Sequence, residues 1–281
     1  MGAKSHPSGM IKRLSLFLLF SLFFIGMYSQ DYQLFWHDEF NYHGKPDKEK
    51  WNFEKGFIRN LEEQYYTSRR KNARVKDGRL FLTALKEKYR NRNFEAGASN
   101  WKYYTHFANY TSASINTKNK FEIKYGRIEV RAKLPAGKGV WPAIWMLGAD
   151  FDEKGWPNTG EIDIMEHVGK APDEIHATVH FPYNNSMGYD SKGTMKKINN
   201  PAEDFHVYSI DWDENKIDFL IDNEIYHSFR IADAGEENNP FRKPFYLIIN
   251  LALGGNWAGE VDPEIFPQQF VIDYVRVFTK K

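Results

Sequence analysis

Cysteine is absent from all 281 residues. That excludes disulfide staples, thiol nucleophiles, cysteine-ligated zinc and lipid attachment at an N-terminal cysteine. A surplus of one charge is missing too: 38 basic residues face 37 acidic ones, a formal net of +1. A dedicated nucleic-acid binder needs a cationic surplus facing phosphate, so that class is set aside. No long segment repeats its apolar residues at a period of 3.6, so helices are expected to be few and short. Beyond the first thirty residues there is no linker, internal repeat or low-complexity tract. Charged residues at 27% and hydrophobic ones at 42% suit a packed globular chain rather than a disordered one.

What the chain has in surplus is aromatic surface: 8 Trp, 16 Tyr and 22 Phe. A core absorbs many of these. Eight Trp exceed what a core of this size needs, and flat polar substrates such as sugars stack on aromatic faces.

Lys12 and Arg13 precede an apolar run from Leu14 to Ile25, closed by Gly26. A charged start followed by a run this short reads as a secretory signal peptide over residues 1–30. A membrane span wants roughly 20 apolar residues, so a single N-terminal anchor is the second reading. Cleavage removes Lys4, Lys12 and Arg13 and no acid, leaving 35 bases against 37 acids, a net of −2. The expected location is secreted, periplasmic or at the cell surface, with no membrane contact after cleavage.

The remaining residues, 31–281, are expected to form one domain. Apolar residues alternate with polar ones at Ile128, Val130 and Ala132, and at Leu80, Leu82 and Ala84. Further strands are expected at 112–117, 175–181, 206–212, 217–221, 225–230, 246–253 and 271–278. Asp77-Gly78, Asp213-Glu-Asn215, Asp222-Asn223 and Gly254-Gly255 punctuate them. Many short strands with frequent turns predict an all-β sandwich or barrel.

Gly160-Glu-Ile-Asp-Ile-Met-Glu-His167 reads as one of these strands. Glu161 and Asp163 share a face at period two, whereas Glu166 falls on the other. One extra residue near Ile164-Met165, a β-bulge, returns Glu166 to the face of its partners. Three carboxylates together repel, which raises at least one pKa. Retaining glycoside hydrolysis requires such a pair, one carboxylate ionised and one carboxyl protonated. The strand taken alone reads better as a solvated edge with ordinary surface acids. A calcium loop suits it less well, because its apolar residues alternate.

The flanking segments extend the pattern. Tyr125-Gly-Arg-Ile-Glu-Val-Arg-Ala-Lys-Leu-Pro135 leads to Gly139-Val-Trp-Pro-Ala-Ile-Trp-Met-Leu147, then to Gly155-Trp-Pro-Asn-Thr-Gly160 and the acidic strand. Trp36-His-Asp-Glu-Phe40, Tyr65-Tyr-Thr67, Asn72-Ala-Arg-Val75, Asn250-Leu-Ala-Leu-Gly-Gly-Asn-Trp257 and Ile272-Asp-Tyr-Val-Arg-Val277 complete the set. In this order the segments resemble glycoside hydrolase family 16, and within it the laminarinase-like endo-β-1,3-glucanases with a bulged Glu-x-Asp-x-x-Glu motif. The resemblance implies a jelly-roll β-sandwich of two curved antiparallel sheets with a concave substrate cleft. It implies Glu161 as nucleophile, Glu166 as general acid/base, and Asp163 between them, hydrogen-bonded to a neighbouring carboxyl. The acid/base is then the group whose pKa is expected to rise.

Trp141 and Trp145 are four apart, which places both on one strand face for sugar contact or for core packing. Trp257 sits among turn residues, and Trp156 is expected at the rim. His176, Thr178 and His180 share a strand face. The resemblance favours His180 as a site residue near the acid/base, with His176 as a structural histidine. It places Asn72 as a hydrogen-bond donor to sugar. Arg127 and Arg131 suit salt bridges at least as well as a binding role. The resemblance also implies a structural Ca²⁺ remote from catalysis, held by Glu39, the carbonyl of Gly78, and Asp273; no cofactor is implied for the chemistry.

The reading is therefore a secreted, monomeric, retaining endo-glycosidase acting on laminarin-type β-1,3-glucan. Alternatives on the same scaffold are mixed-linkage β-1,3-1,4-glucan or an agar- or carrageenan-type galactan. A non-catalytic β-glucan-binding protein is the rival from another class. Such proteins usually lack the catalytic glutamates, and both are present here.

Overall fold

In a computed structural model of the chain, residue 2 and residues 32–183 and 188–281 are described. The expected signal segment lies outside them. Among the described residues the strands are, in chain order, β1 (Tyr32–Asp38), β2 (Asn52–Phe53), β3 (Gln64–Tyr66), β4 (Ala73–Lys76), β5 (Arg79–Arg90), β6 (Phe107–Ser112), β7 (Ser114–Asn116), β8 (Gly126–Lys133) and β9 (Val140–Gly148). They continue as β10 (Glu161–Glu166), β11 (Glu174–Pro182), β12 (Tyr189–Lys197), β13 (His206–Trp212), β14 (Lys216–Ile221), β15 (Glu224–Arg230), β16 (Phe245–Leu253) and β17 (Gln268–Lys280). Helices are single turns, as the missing 3.6 period predicts, and none among the described residues is long and apolar enough to cross a membrane.

The strands form two sheets, one of ten and one of seven. The larger runs β15-β14-β13-β8-β17-β5-β6-β3, with β1 added on β17 and β4 on β5. The smaller runs β12-β11-β10-β9-β16-β7-β2. Pairing is antiparallel except between β3 and β6. This is the all-β sandwich that the alternation predicts. The inner faces interlock in one core: Leu80, Leu82, Ile128, Val130, Tyr208, Ile210 and Val275 of the large sheet meet Ile144, Met146, Ile162, Ile175, Val179 and Ile249 of the small one.

The period-two rule recovers β8, β11 and β13 to within about one residue. It misses β12, whose residues are mostly polar and exposed or half-buried. The strand forms because β11 offers it an edge over its whole length. In β16 all nine residues are buried, so alternation is invisible there. Its inward residues enter the main core, while Tyr246 and Ile248 join Ala143, Trp145 and Leu147 in a second apolar cluster on the outer face. That cluster is the floor under the site.

On the large sheet, register brings Glu39, just past the end of β1, and Gly78, just before the start of β5, to the middle of β17, where Asp273 sits. The side chains of Glu39 and Asp273 are engaged with cations. Arg276 donates to both oxygens of Glu39 at 2.8 Å and holds its carboxyl below the usual range. Arg131 donates to Asp273 at 2.5 Å, and Arg79 lies 3.7 Å from its other oxygen. A divalent cation wants oxygens free of competing positive charge, so this arrangement does not fit the implied Ca²⁺. Chelation with EDTA should therefore leave the melting temperature within about 1 °C of the untreated protein, since only a ligand bound to the folded state stabilises it. A fall of several degrees, reversed by Ca²⁺ alone, would restore the metal to this part of the sheet.

Candidate active site

The site is built on β9, β10, β11 and β16. Between Asp163 and Glu166 the chain of β10 advances three residues. Over the same span β9 advances two, from Trp145 to Ala143, and β11 advances two, from Thr178 to His176. This is the bulge expected near Ile164-Met165, and it changes which way Glu166 faces. Ile162, Ile164 and Met165 enter the core, while Glu161, Asp163 and Glu166 line a cleft of about 900 Å³ on the outer face.

Asp163 is buried, and Glu161 and Glu166 are half-buried on the cleft floor. Burial pushes the Glu161 carboxyl up to about 8, with the charge of Asp163 adding to the effect. Burial, then the charge of Glu161, pushes Glu166 up to about 7. Asp163 is also raised, by burial and by Glu166. The rise is thus shared, contrary to the expectation that it falls on Glu166. The three groups titrate as one cluster that holds protons near neutral pH. A hydrogen bond between Glu161 and Asp163 favours the proton on Glu161, and Trp141 Nε1 donates to Glu166 Oε1 at 3.1 Å. The expected carboxyl partner of Asp163 is therefore Glu161.

The tryptophans wall this cleft. Trp141 stands edge-on to Trp257, with ring centroids 5.4 Å apart. Trp145 serves both expected roles: it lines the cleft but is only 7% exposed within the outer cluster. Its Nε1 donates to Asn250 Oδ1 at 2.7 Å, and the Arg59 guanidinium sits 4.9 Å from its ring. Trp156 is exposed at the rim, as expected, 4.6 Å from the ring of Tyr189.

Two expectations, for Asn72 and His176, need correction. Asn72 is fully buried and outside the cleft lining. Its amide donates to Thr83 O and Thr111 Oγ1, and its carbonyl oxygen accepts from Thr67 and Arg69, so it fastens strands instead of touching sugar. His180 stands near the acid/base as expected: it lines the cleft, pairs in register with Glu161, lies 3.2 Å from Asp163, and its charge reaches Glu166. His176 is the residue opposite Glu166; it lines the cleft edge-on to Trp257. Arg127 and Arg131 take the salt-bridge role, with Glu129 and Asp211, and with Asp273.

Sequence reasoning missed the loop before β3. Glu54, Arg59, Asn60 and Glu62 all line the cleft. Arg59 pairs with Glu54, and buried Glu62 accepts from Gln64 Nε2 at 2.7 Å and Tyr66 OH at 3.3 Å. Asn250 continues this network, donating to Tyr66 OH at 3.1 Å. The segment has no period to read. Its one signal is a Glu-Glu-Gln run leading into the buried strand Gln64–Tyr66.

The acids impose a pH dependence on stability. Glu161 and Glu166 titrate near 4.5 ordinarily and at about 8 and 7 in the fold. Between those limits the folded state binds more protons than the unfolded one, so stability falls as pH rises through the window. The native protein should lose melting temperature from pH 5 to pH 8.5. The double variant Glu161→Gln, Glu166→Gln should lose less and end several degrees higher at pH 8.5. Parallel slopes for the two proteins would refute the buried-charge account.

Comparison with known proteins gives a consistent result. The family model for glycosyl hydrolases family 16 matches residues 60–276. A β-glucanase of Rhodothermus marinus is 44% identical over 260 residues, covering 88% of this chain and 85% of that protein. The laminarinase structure from Rhodothermus marinus superposes with a TM-score of 0.77 at 41% identity, over 89% of this chain and 98% of that one. It supports the jelly-roll form of the sandwich. A structure from work on endo-acting O-glycanases of the human gut microbiota, which initiate mucin breakdown, gives a TM-score of 0.84 at 41% identity, over 89% and 91%. A match over most of the described chain, joined to a bulged acidic strand at the floor of an aromatic cleft, makes this protein a member of glycosyl hydrolase family 16.

Proposed function

We propose that the chain is a retaining endo-glycosidase that hydrolyses internal bonds of laminarin-type β-1,3-glucan. The observation that carries the reading is the bulge, which puts Glu161, Asp163 and Glu166 on one face of a tryptophan-walled cleft. Likeness to the Rhodothermus marinus β-glucanase and laminarinase supports the substrate class. Glu161 attacks the anomeric carbon as Glu166 protonates the leaving oxygen. Glu166 then takes a proton from water, which releases the sugar with its β configuration retained. Asp163 accepts the proton that Glu161 must give up before attack. A cluster that holds protons near pH 7 but carries negative charge suits this division of labour.

Trp141, Trp156 and Trp257 offer faces and edges to glucose rings, and Trp145 supports them from the floor. The Lys12–Gly26 pattern supports export of a catalytic domain spanning 31–281. A second reading, mucin-type O-glycan, is favoured by the TM-score of 0.84 to the O-glycanase-study structure. Product profiles on laminarin, mixed-linkage glucan, agarose, carrageenan and mucin O-glycan separate the two. Laminarin oligomers as the main early product support the first reading, and release from mucin alone overturns it.

The roles of the acids are separable. Glu161→Ala should abolish hydrolysis of every substrate. Glu166→Ala should lose about 10²–10⁴ in rate on polysaccharide but keep a first step on glycosides with an activated phenol. Azide should then give a β-glycosyl azide from the Glu166 variant and an α-glycosyl azide from the Glu161 variant. The opposite pair of anomers, read by proton NMR, would mean that the two roles are reversed.

A further inference from the structure

Among the described residues, one group of three acid or histidine side chains can reach a common ion: Glu161, Asp163 and His180, with ligand atoms all within 4.8 Å of one another. An acidic cluster alone would not make a site. Two further features do. Asp163 is 2% exposed, and its Oδ2 is buried with no hydrogen-bond partner. That oxygen lies 3.2 Å from His180 Nε2 without the alignment of a hydrogen bond. Two ligands of a tetrahedral zinc, each about 2.0–2.1 Å from the metal, stand about 3.3 Å apart. The pair is thus already spaced as two corners of such a site.

We propose that Glu161, Asp163 and His180 form an inhibitory site for a borderline divalent cation of the Zn²⁺ type. One imidazole and two carboxylates with an open fourth position suit such an ion, whereas Ca²⁺ wants six to eight oxygens. The ion also offsets the repulsion between buried carboxylates that the empty cleft contains. Bound metal engages Glu161, the proposed nucleophile, and occupies the ground where a sugar ring must sit. Inhibition therefore rests on the function proposed above; binding does not.

The test uses ZnCl₂ alone, titrated into the full chain by calorimetry at pH 7.5. One Zn²⁺ per chain should bind with saturation below 1 mM. Asp163→Asn and His180→Ala should each weaken it at least about tenfold, whereas His176→Ala, on the same strand but outside the set, should bind as the native chain does. Circular dichroism melts establish that each variant is folded; if His180→Ala is not, Asp163→Asn, close to isosteric, carries the comparison. In activity assays Zn²⁺ should raise the apparent KM for laminarin without changing kcat, and EDTA should reverse it. No saturable binding, binding unaltered in folded variants, or inhibition of kcat alone would overturn the proposal. Binding lost in the variants of a chain inactive on glucan would sink the functional reading and leave the metal site standing.

Discussion

Like charges held out of water on one face of β10 are the constraint around which the rest of the site is organised. A regular strand would have sent Glu166 to the opposite face, into the hydrophobic core, where an unpaired carboxylate is costly. The bulge exchanges that cost for a different one. It seats Ile164 and Met165 in the core and gathers Glu161, Asp163 and Glu166 in the cleft. Desolvation, reinforced by the repulsion this creates, keeps protons on the cluster near neutral pH, and a protonated carboxyl beside an ionised one is the chemical state that glycosidic bond cleavage needs. Strand register and acid-base chemistry are therefore one feature seen at two scales.

The cleft around the acids is rigid because its wall is hydrogen-bonded as well as packed. Asn250 accepts from Trp145 and donates to Tyr66, and Tyr66 reaches Glu62. Arg59 lies against the Trp145 ring and pairs with Glu54, so its positive charge is spent locally and lowers Glu161 only as a minor influence. Glu62 raises Glu166 slightly from a distance. A fourth carboxylate thus belongs to the electrostatics of the site although it comes from a loop far away in sequence.

The outer face of the large sheet follows another logic. There the acids are matched by guanidinium groups, as Glu39 is by Arg276 and Asp273 by Arg131. Exposed or half-buried pairs of this kind contribute little to stability. The contrast explains why acids on one sheet are poised for proton transfer: they lie together with no guanidinium paired to them, whereas Glu39 and Asp273 each hold one.

How much of this was legible in sequence depended on the range of the interaction. Period-two alternation in β8 and β11 is local, because each side chain faces either core or solvent within its own strand. The bulge was legible because Glu161, Asp163 and Glu166 are close in sequence, and only one extra residue brings them to one face. Beyond that range, residue identity was a poor guide. Asn72 looked like a sugar ligand but is consumed by Thr83, Thr111, Thr67 and Arg69. The loop carrying Arg59 and Glu62 gave no periodic signal, and β12 has a polar sequence that becomes a strand only because β11 leaves an edge open. The sequence by itself determined the fold class, the acidic strand and its tryptophan neighbours. Tertiary structure decided which carboxylates are buried without a cation and which face arginine, because desolvation and pairing depend on what packs nearby, and in a sandwich those neighbours come from distant strands.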